Sequence, residues 1–185
     1  MELHLARLTI RSWRPDDAPR LAPLANNYAI WRNLRDRFPH PYAVADADAF
    51  IAHCLARDPQ TNYAIALNDA PIGSIGIIPG DDIYRTSAEF GYWLGEPYWG
   101  RGYVTEAILG FTEWVFATFD LSRLYALVFT GNPASARALE KGGFVLEATS
   151  RCAAIKEGQL MDEWLYAKLR PRAESTASGP AAQHG

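Results

Sequence analysis

The chain has 185 residues, 49% of them hydrophobic and 21% charged, with a net charge of −3. That length fits one domain able to bury its own core, and the slightly acidic balance argues against a general nucleic-acid binder, which carries a basic surface. No apolar run approaches a membrane span, and the start Met1-Glu2-Leu3-His4 has no signal-peptide pattern, so no membrane partner and a cytoplasmic location are the default expectations. Leu8–Trp13 alternates as a first strand. Pro15-Asp16-Asp17 opens a helix to about Asn26, with either aspartate able to cap it and Pro23 limiting its regularity. Residues 27–45 read as helix followed by loop, with Arg32, Arg35 and Arg37 close together. Asp46 can cap a further helix whose apolar face is Phe50, Ile51, Cys54 and Leu55.

Asn62–Leu67 and Ile72–Ile78 read as a hairpin across Asn68-Asp69, and after the loop at 79–82, Ser87–Leu94 as another strand. Residues 104–119 form the longest helix, with Val104, Ala107, Ile108, Phe111, Val115 and Phe119 on one broad face. Leu124–Phe129 has the continuous apolar character of a central strand. Asn132-Pro133 caps and starts a short helix to Lys141, which Gly142-Gly143 stops. Phe144–Ser150 and Leu160–Leu169 are the last two strands, with Gly158 in the turn between them. The order is mixed α/β over residues 1–170; residues 171–185 lack core-forming periodicity and read as a disordered tail. Cys54 and Cys152 are far apart and outside any C-x-x-C pair, and the four histidines have no zinc spacing, so neither a disulfide nor a metal site is expected.

Two runs carry chemistry. Trp99-Gly100-Arg101-Gly102-Tyr103-Val104-Thr105 sets two glycines before the long helix. Glycine lets another group approach the backbone closely, and the unpaired N–H groups of a helix start attract anions. The run is either a phosphate-binding turn or a surface turn that needs two glycines. The second run, Asn132 to Phe144, is a capped helix following a central strand, a place where ligand crevices form. Asn132 and Ser135 either serve a ligand there or only cap and support the first turn.

Taken together, Glu89-Phe90-Gly91-Tyr92-Trp93-Leu94, Trp99 to Ala107 and Asn132-Pro133-Ala134-Ser135 with Glu140 to Phe144 resemble the coenzyme-binding core of the GNAT superfamily of N-acetyltransferases. Within it, the chain is similar to the RimJ/RimL-like ribosomal-protein alanine acetyltransferases, over about residues 6–170. The resemblance implies a twisted mixed sheet with helices on both faces and a V-shaped cleft between two splayed parallel strands. It implies acetyl coenzyme A as donor, its pantetheine arm against the backbone of Tyr92, Trp93 and Leu94. Trp99, Gly100, Arg101, Gly102, Tyr103, Val104 and Thr105 would hold the pyrophosphate, and Asn132 and Ser135 would help position the coenzyme.

The implied reaction is direct attack of a neutral primary amine on the thioester. Glu89 is the expected base and Ser135 a candidate catalytic hydroxyl; Glu106 is expected to be structural. Many family members carry a tyrosine acid in the second helix. Here that position is Leu139, which leaves Ser135, bound water or unassisted departure of the thiolate. Arg32, Asn33, Arg35, Tyr84, Glu89 and Trp93 are the candidate acceptor contacts, and Asp162 and Glu163 are further candidates to meet a cationic amine. The acceptor is a peptide N-terminal α-amine or a small-molecule amine. Exposed aromatic surface leaves a homodimer open. A noncatalytic acyl-coenzyme-A sensor is the alternative class. A convergent nucleotide binder fits less well, because a Walker lysine and a dinucleotide fingerprint are missing.

Overall fold

Tyr63, Ala64 and Ile65 show how the chain sorts its apolar residues onto two faces. Successive side chains of a strand point to opposite sides of the sheet. Tyr63 and Ile65 enter one core with Ile75, Phe90, Ile108, Phe111 and Val115, while Ala64 enters a second with Trp13, Leu21, Ile51 and Cys54. In the computed structural model, which describes residues 1–171, these cores lie on either side of an eight-stranded sheet of order β1-β2-β3-β4-β5-β6-β8-β7. The strands are β1 (Glu2–His4), β2 (Thr9–Arg11), β3 (Asn62–Leu67), β4 (Ala70–Pro79), β5 (Ser87–Leu94), β6 (Arg123–Phe129), β7 (Val145–Lys156) and β8 (Gln159–Leu169). All neighbours pair antiparallel except β5 and β6, which are parallel. The expected mixed α/β architecture is therefore present. Apart from Pro171, the tail expected over 171–185 lies outside the described residues.

Helices α1 (Ala18–Ala25), α2 (Tyr28–Trp31) and α3 (Val44–Leu55) precede the central strands, and α4 (Tyr103–Thr118) and α5 (Pro133–Lys141) flank β6 in sequence. Phe111, Ile108 and Val115 of α4 are fully buried, each worth about 1.5–3 kcal/mol relative to exposure. Asp46 sits inside α3 rather than before it: its carboxylate reaches back to accept from Ala43 N–H at 2.8 Å. Asp17 likewise accepts from Arg14 N–H and also takes both terminal nitrogens of buried Arg11 at 2.8 Å. The end of α5 is a Schellman motif: Phe144 N–H donates to Leu139 O and Gly143 N–H to Glu140 O, with Gly143 at φ +85°.

Two expectations on strand extent are corrected. A strand, β1, precedes the one read at Leu8–Trp13, and the latter is shorter. β7 runs six residues past Ser150 because β8 supplies partners out to Lys156, with register shifts at Leu146/Ala148 and Ser150/Ala154 along the way.

Candidate active site

β5 and β6 pair only from Ser87↔Arg123 to Glu89↔Tyr125. Beyond Glu89 the two strands diverge, and a cleft of about 660 Å³ opens between the upper part of β5, the start of α4 and the start of α5. At its foot is the glycine turn. Gly100 and Gly102 adopt φ +72° and +77°, and Gly102 is the residue before the first turn of α4. Left-handed backbone favours glycine. No protein group among the described residues accepts from the N–H groups of residues 100–105. Such a row of donors at a helix start is an anion site with a favourable helix dipole behind it.

The turn is braced from the N-terminal segment. Arg7 gives its backbone N–H and Nε to the Glu106 carboxylate, both at 2.7 Å, donates Nη1 to Arg101 O at 3.0 Å, and lies over the Tyr103 ring. Glu106 is thus a structural carboxylate, as expected. Trp99 acts from the other side: its Nε1 donates to Leu94 O at 2.6 Å. That carbonyl, expected to face a pantetheine arm, already has a partner within the protein.

On the far wall, Asn132 caps α5, its Oδ1 accepting from Ser135 N–H at 3.2 Å. The Ser135 hydroxyl is 2.9 Å from the Tyr92 hydroxyl, which also donates to Ser135 O at 3.2 Å. Burial pushes the Tyr92 phenol up to about 12, with the Ser135 hydrogen bond opposing the shift. Leu139 is fully buried in the core and offers nothing to the cleft.

Strand alternation divides β5 between two chambers. Tyr92 and Leu94 face the cleft, whereas Glu89, Gly91 and Trp93 lie on the other face and line a second pocket of about 240 Å³. Tyr92, Trp93, Asn33 and Leu34 border both. In the smaller pocket Phe38 meets Trp93 edge-on at 5.7 Å and Tyr42 at 4.8 Å. Glu89 is held there by Arg35, whose Nη2 reaches both carboxylate oxygens at 2.6 and 2.7 Å. The expected base and an expected acceptor contact are therefore one ion pair. Glu163 on β8 is electrostatically close to both: burial raises its carboxyl above the ordinary value, Glu89 adds to the rise, and Arg35 opposes it. Asp162 is otherwise engaged, accepting from Cys152 N–H at 2.8 Å.

Of the other predicted contacts, Trp99, Tyr103, Val104, Thr105, Arg32 and Asn33 line the cleft. Arg101 and Tyr84 line neither chamber; Tyr84 ends a short 3-10 turn and is 66% exposed. Its aromatic character suggested a wall, but the segment at 80–86 between β4 and β5 carries it to solvent. Sequence reading missed Arg137 and Lys141, which line the cleft from successive turns of α5; their i, i+4 spacing was the available signal. It also missed buried Lys156, which pairs with Asp36 at 2.7 Å and sits 3.7 Å above the Trp31 ring. Beside it Tyr28 O–H donates to Glu157, so the β7–β8 turn is tied to α2 over the cleft.

The residues from 7 to 145 match the acetyltransferase (GNAT) domain family. The chain belongs to that family. Among its relatives, the uncharacterised N-acetyltransferase YoaA of Bacillus subtilis is 36% identical over 101 residues, which span 55% of this chain and only 56% of YoaA. The uncharacterised N-acetyltransferase p20 of Bacillus licheniformis is 25% identical over 91% of this chain and 96% of its own. The GNAT fold is shared with solved structures that include RimL, the ribosomal L7/L12 α-N-protein acetyltransferase in complex with coenzyme A, at a TM-score of 0.80 and 19% identity over 91% of this chain and 98% of that one. RimL- and RimJ-type acetyltransferases are thus among its neighbours.

Proposed function

We propose that the chain is an N-acetyltransferase that moves the acetyl group of acetyl coenzyme A directly onto a primary amine in a ternary complex. The observation that carries this reading is the junction of two chambers across β5: a long cleft ending in unpaired N–H groups, and a small aromatic pocket holding a carboxylate. Coenzyme A complexes of structural neighbours support the choice of donor.

In this reading the N–H groups of residues 100–105 bind the pyrophosphate, with Arg137 and Lys141 supplying positive charge along the same wall. The thioester supplies an activated acetyl group. Asn33, Trp93 and Arg35 border the amine, and Glu89, fixed by Arg35, accepts its proton as nitrogen attacks. Proton transfer of this kind contributes roughly 10²–10⁴-fold. The Ser135 hydroxyl lies on the donor side of the reacting carbon. Neither cysteine is used: Cys54 is buried in the second core, where burial pushes its thiol up to about 12.

The acceptor is the α-amine of a peptide, as the names of the ribosomal-protein acetyltransferase neighbours suggest, or a small amine. A panel of peptides, polyamines and amino acids, incubated with acetyl coenzyme A and read by product mass, separates the two. Gain of one acetyl group by a member of the panel is the expected result. Glu89→Gln should then lower turnover by about 10²-fold or more below the amine's pKa and less above it. Undiminished turnover, with a pH profile parallel to wild type, removes Glu89 as the proton acceptor.

A further inference from the structure

Glycine inside a strand weakens it, and where the fold does not call for one it marks a place that a ligand or another backbone approaches closely. Among the described residues, Gly73 and Gly76 of β4 and Gly91 of β5 lie inside strands. The fold requires the first two. A Cβ on Gly73 would run into Trp93 O, and one on Gly76 would stand 2.6 Å from Thr61 O. Gly91 is different. Its backbone is outside the left-handed region, its surface is exposed, and a Cβ there would meet no atom within 4 Å. Neither conformation nor packing accounts for it.

The surroundings of Gly91 do. It pairs with Gly76, so two adjacent strands carry no side chain at that point and the sheet face is bare. Both glycines line the smaller pocket, of about 240 Å³, and Gly91 does not line the donor cleft. Glu89 and Trp93 stand two residues to either side on the same face, about 6.5 Å away along the strand. Phe38, Tyr42 and Phe50 supply apolar walls. An unbranched amine reaches Glu89 without using this space, whereas an amine whose own carbon carries an apolar side chain fills it.

We infer that Gly91 is a specificity-determining residue, whose missing side chain makes room for an apolar substituent on the carbon that bears the acceptor amine. The acceptor class is then an α-substituted primary amine, either the first residue of a peptide or a free amino-acid derivative, and not a polyamine. The inference rests on the proposed transferase reading. In it the substituent lies on the bare backbone of β5 beside the Trp93 ring, with the amine on the Glu89 side, and the strand gives up a little stability to keep that floor open.

The experiment uses the full chain, acetyl coenzyme A and two pairs of probes read by product mass: glycinamide with leucinamide, and Gly-Gly-Gly with Leu-Gly-Gly. The leucine member of each pair should have the higher kcat/KM by about 10-fold or more, since one methylene in an apolar pocket is worth about 10–200-fold. Gly91→Ala should cut kcat/KM for the leucine probes about 10-fold more than for the glycine probes, chiefly through KM, and Gly91→Val should cut it further. Gly91→Ala should also keep the Kd of coenzyme A within about twofold and raise Tm by about 1–4 °C, because the strand gains a side chain for which it has room. Preference for Leu-Gly-Gly over leucinamide supports the inference with a peptide as the source of the amine, and the reverse supports it with a small molecule. Equal losses for both members of a pair, no preference in wild type, or transfer to none of the probes by protein that binds coenzyme A overturns the inference and leaves the transferase reading standing. A lower Tm for Gly91→Ala also overturns it, by showing that the fold itself needs the glycine. Failure of wild-type protein to bind coenzyme A overturns the transferase reading and this inference with it.

Discussion

Gly100→Ala separates the cost of backbone strain from the loss of an anion site. Gly100 has φ +72°, and a Cβ built there would meet no protein atom within 4 Å. The protein has room for the methyl group, so the folding cost is the left-handed conformation alone, about 1–2 kcal/mol. In a domain of this size that lowers Tm by about 2–8 °C. The same methyl projects into open space beside N–H groups that have no protein acceptor. If a pyrophosphate rests there, the Cβ displaces it from about two charge-assisted hydrogen bonds, each worth about 1.5 kcal/mol or more. A total of about 3 kcal/mol weakens coenzyme A binding by about 150-fold. Calorimetry with coenzyme A and, in parallel, with pantetheine makes the assay specific, because pantetheine carries no pyrophosphate. The expected result is a large loss for coenzyme A and none for pantetheine. Equal loss for both ligands, or an unchanged Kd for coenzyme A, refutes the assignment of the turn.

Two further substitutions probe the scaffold. Asp17→Ala removes the bidentate partner of the Arg11 guanidinium, which is only 3% exposed and keeps the Asp69 carboxylate at 3.3 Å, and should cost about 3 kcal/mol in urea unfolding, the lower end for breaking a buried pair; a cost under about 1 kcal/mol would mean that Asp69 alone compensates the charge. Glu163→Gln should stabilise the fold at pH 7 and much less near pH 4. Burial raises the folded carboxyl's pKa above its unfolded value, so its share of stability is present below the unfolded value and lost as pH rises through the folded one. Thermal melts at the two pH values check this, and a difference from wild type that does not change with pH contradicts it.

What the sequence disclosed was chiefly local. Asn132-Pro133 and Gly142-Gly143 bound α5 because capping, a fixed proline φ and a left-handed glycine act within one turn of chain. Gly100 and Gly102 marked the left-handed turn before α4 for the same reason. What stayed hidden depended on contacts distant along the chain. Arg35 and Glu89 were both singled out, but only folding makes them partners and so changes what each is free to do. The Trp99 indole takes the Leu94 carbonyl, a bond that no propensity announces. Tyr84 looked like a pocket aromatic, yet an exposed aromatic in a loop has no periodicity to give its direction. β7 looked short because its side chains are exposed almost throughout, and pairing with β8, rather than alternation, extends it.

The placement of the two chambers on opposite faces of β5 bears on the order of events. The strand is a partition one residue thick between the two chambers, which on the proposed reading take one ligand each. If the proposed reading holds, that arrangement predicts no compulsory sequence of loading: either ligand is seated first, and departure of one does not wait for the other. The two chambers meet along Tyr92 and Trp93 with Asn33 and Leu34 beside them, so on the proposed reading an acceptor analogue and a coenzyme analogue would compete each with its own counterpart and not across the wall.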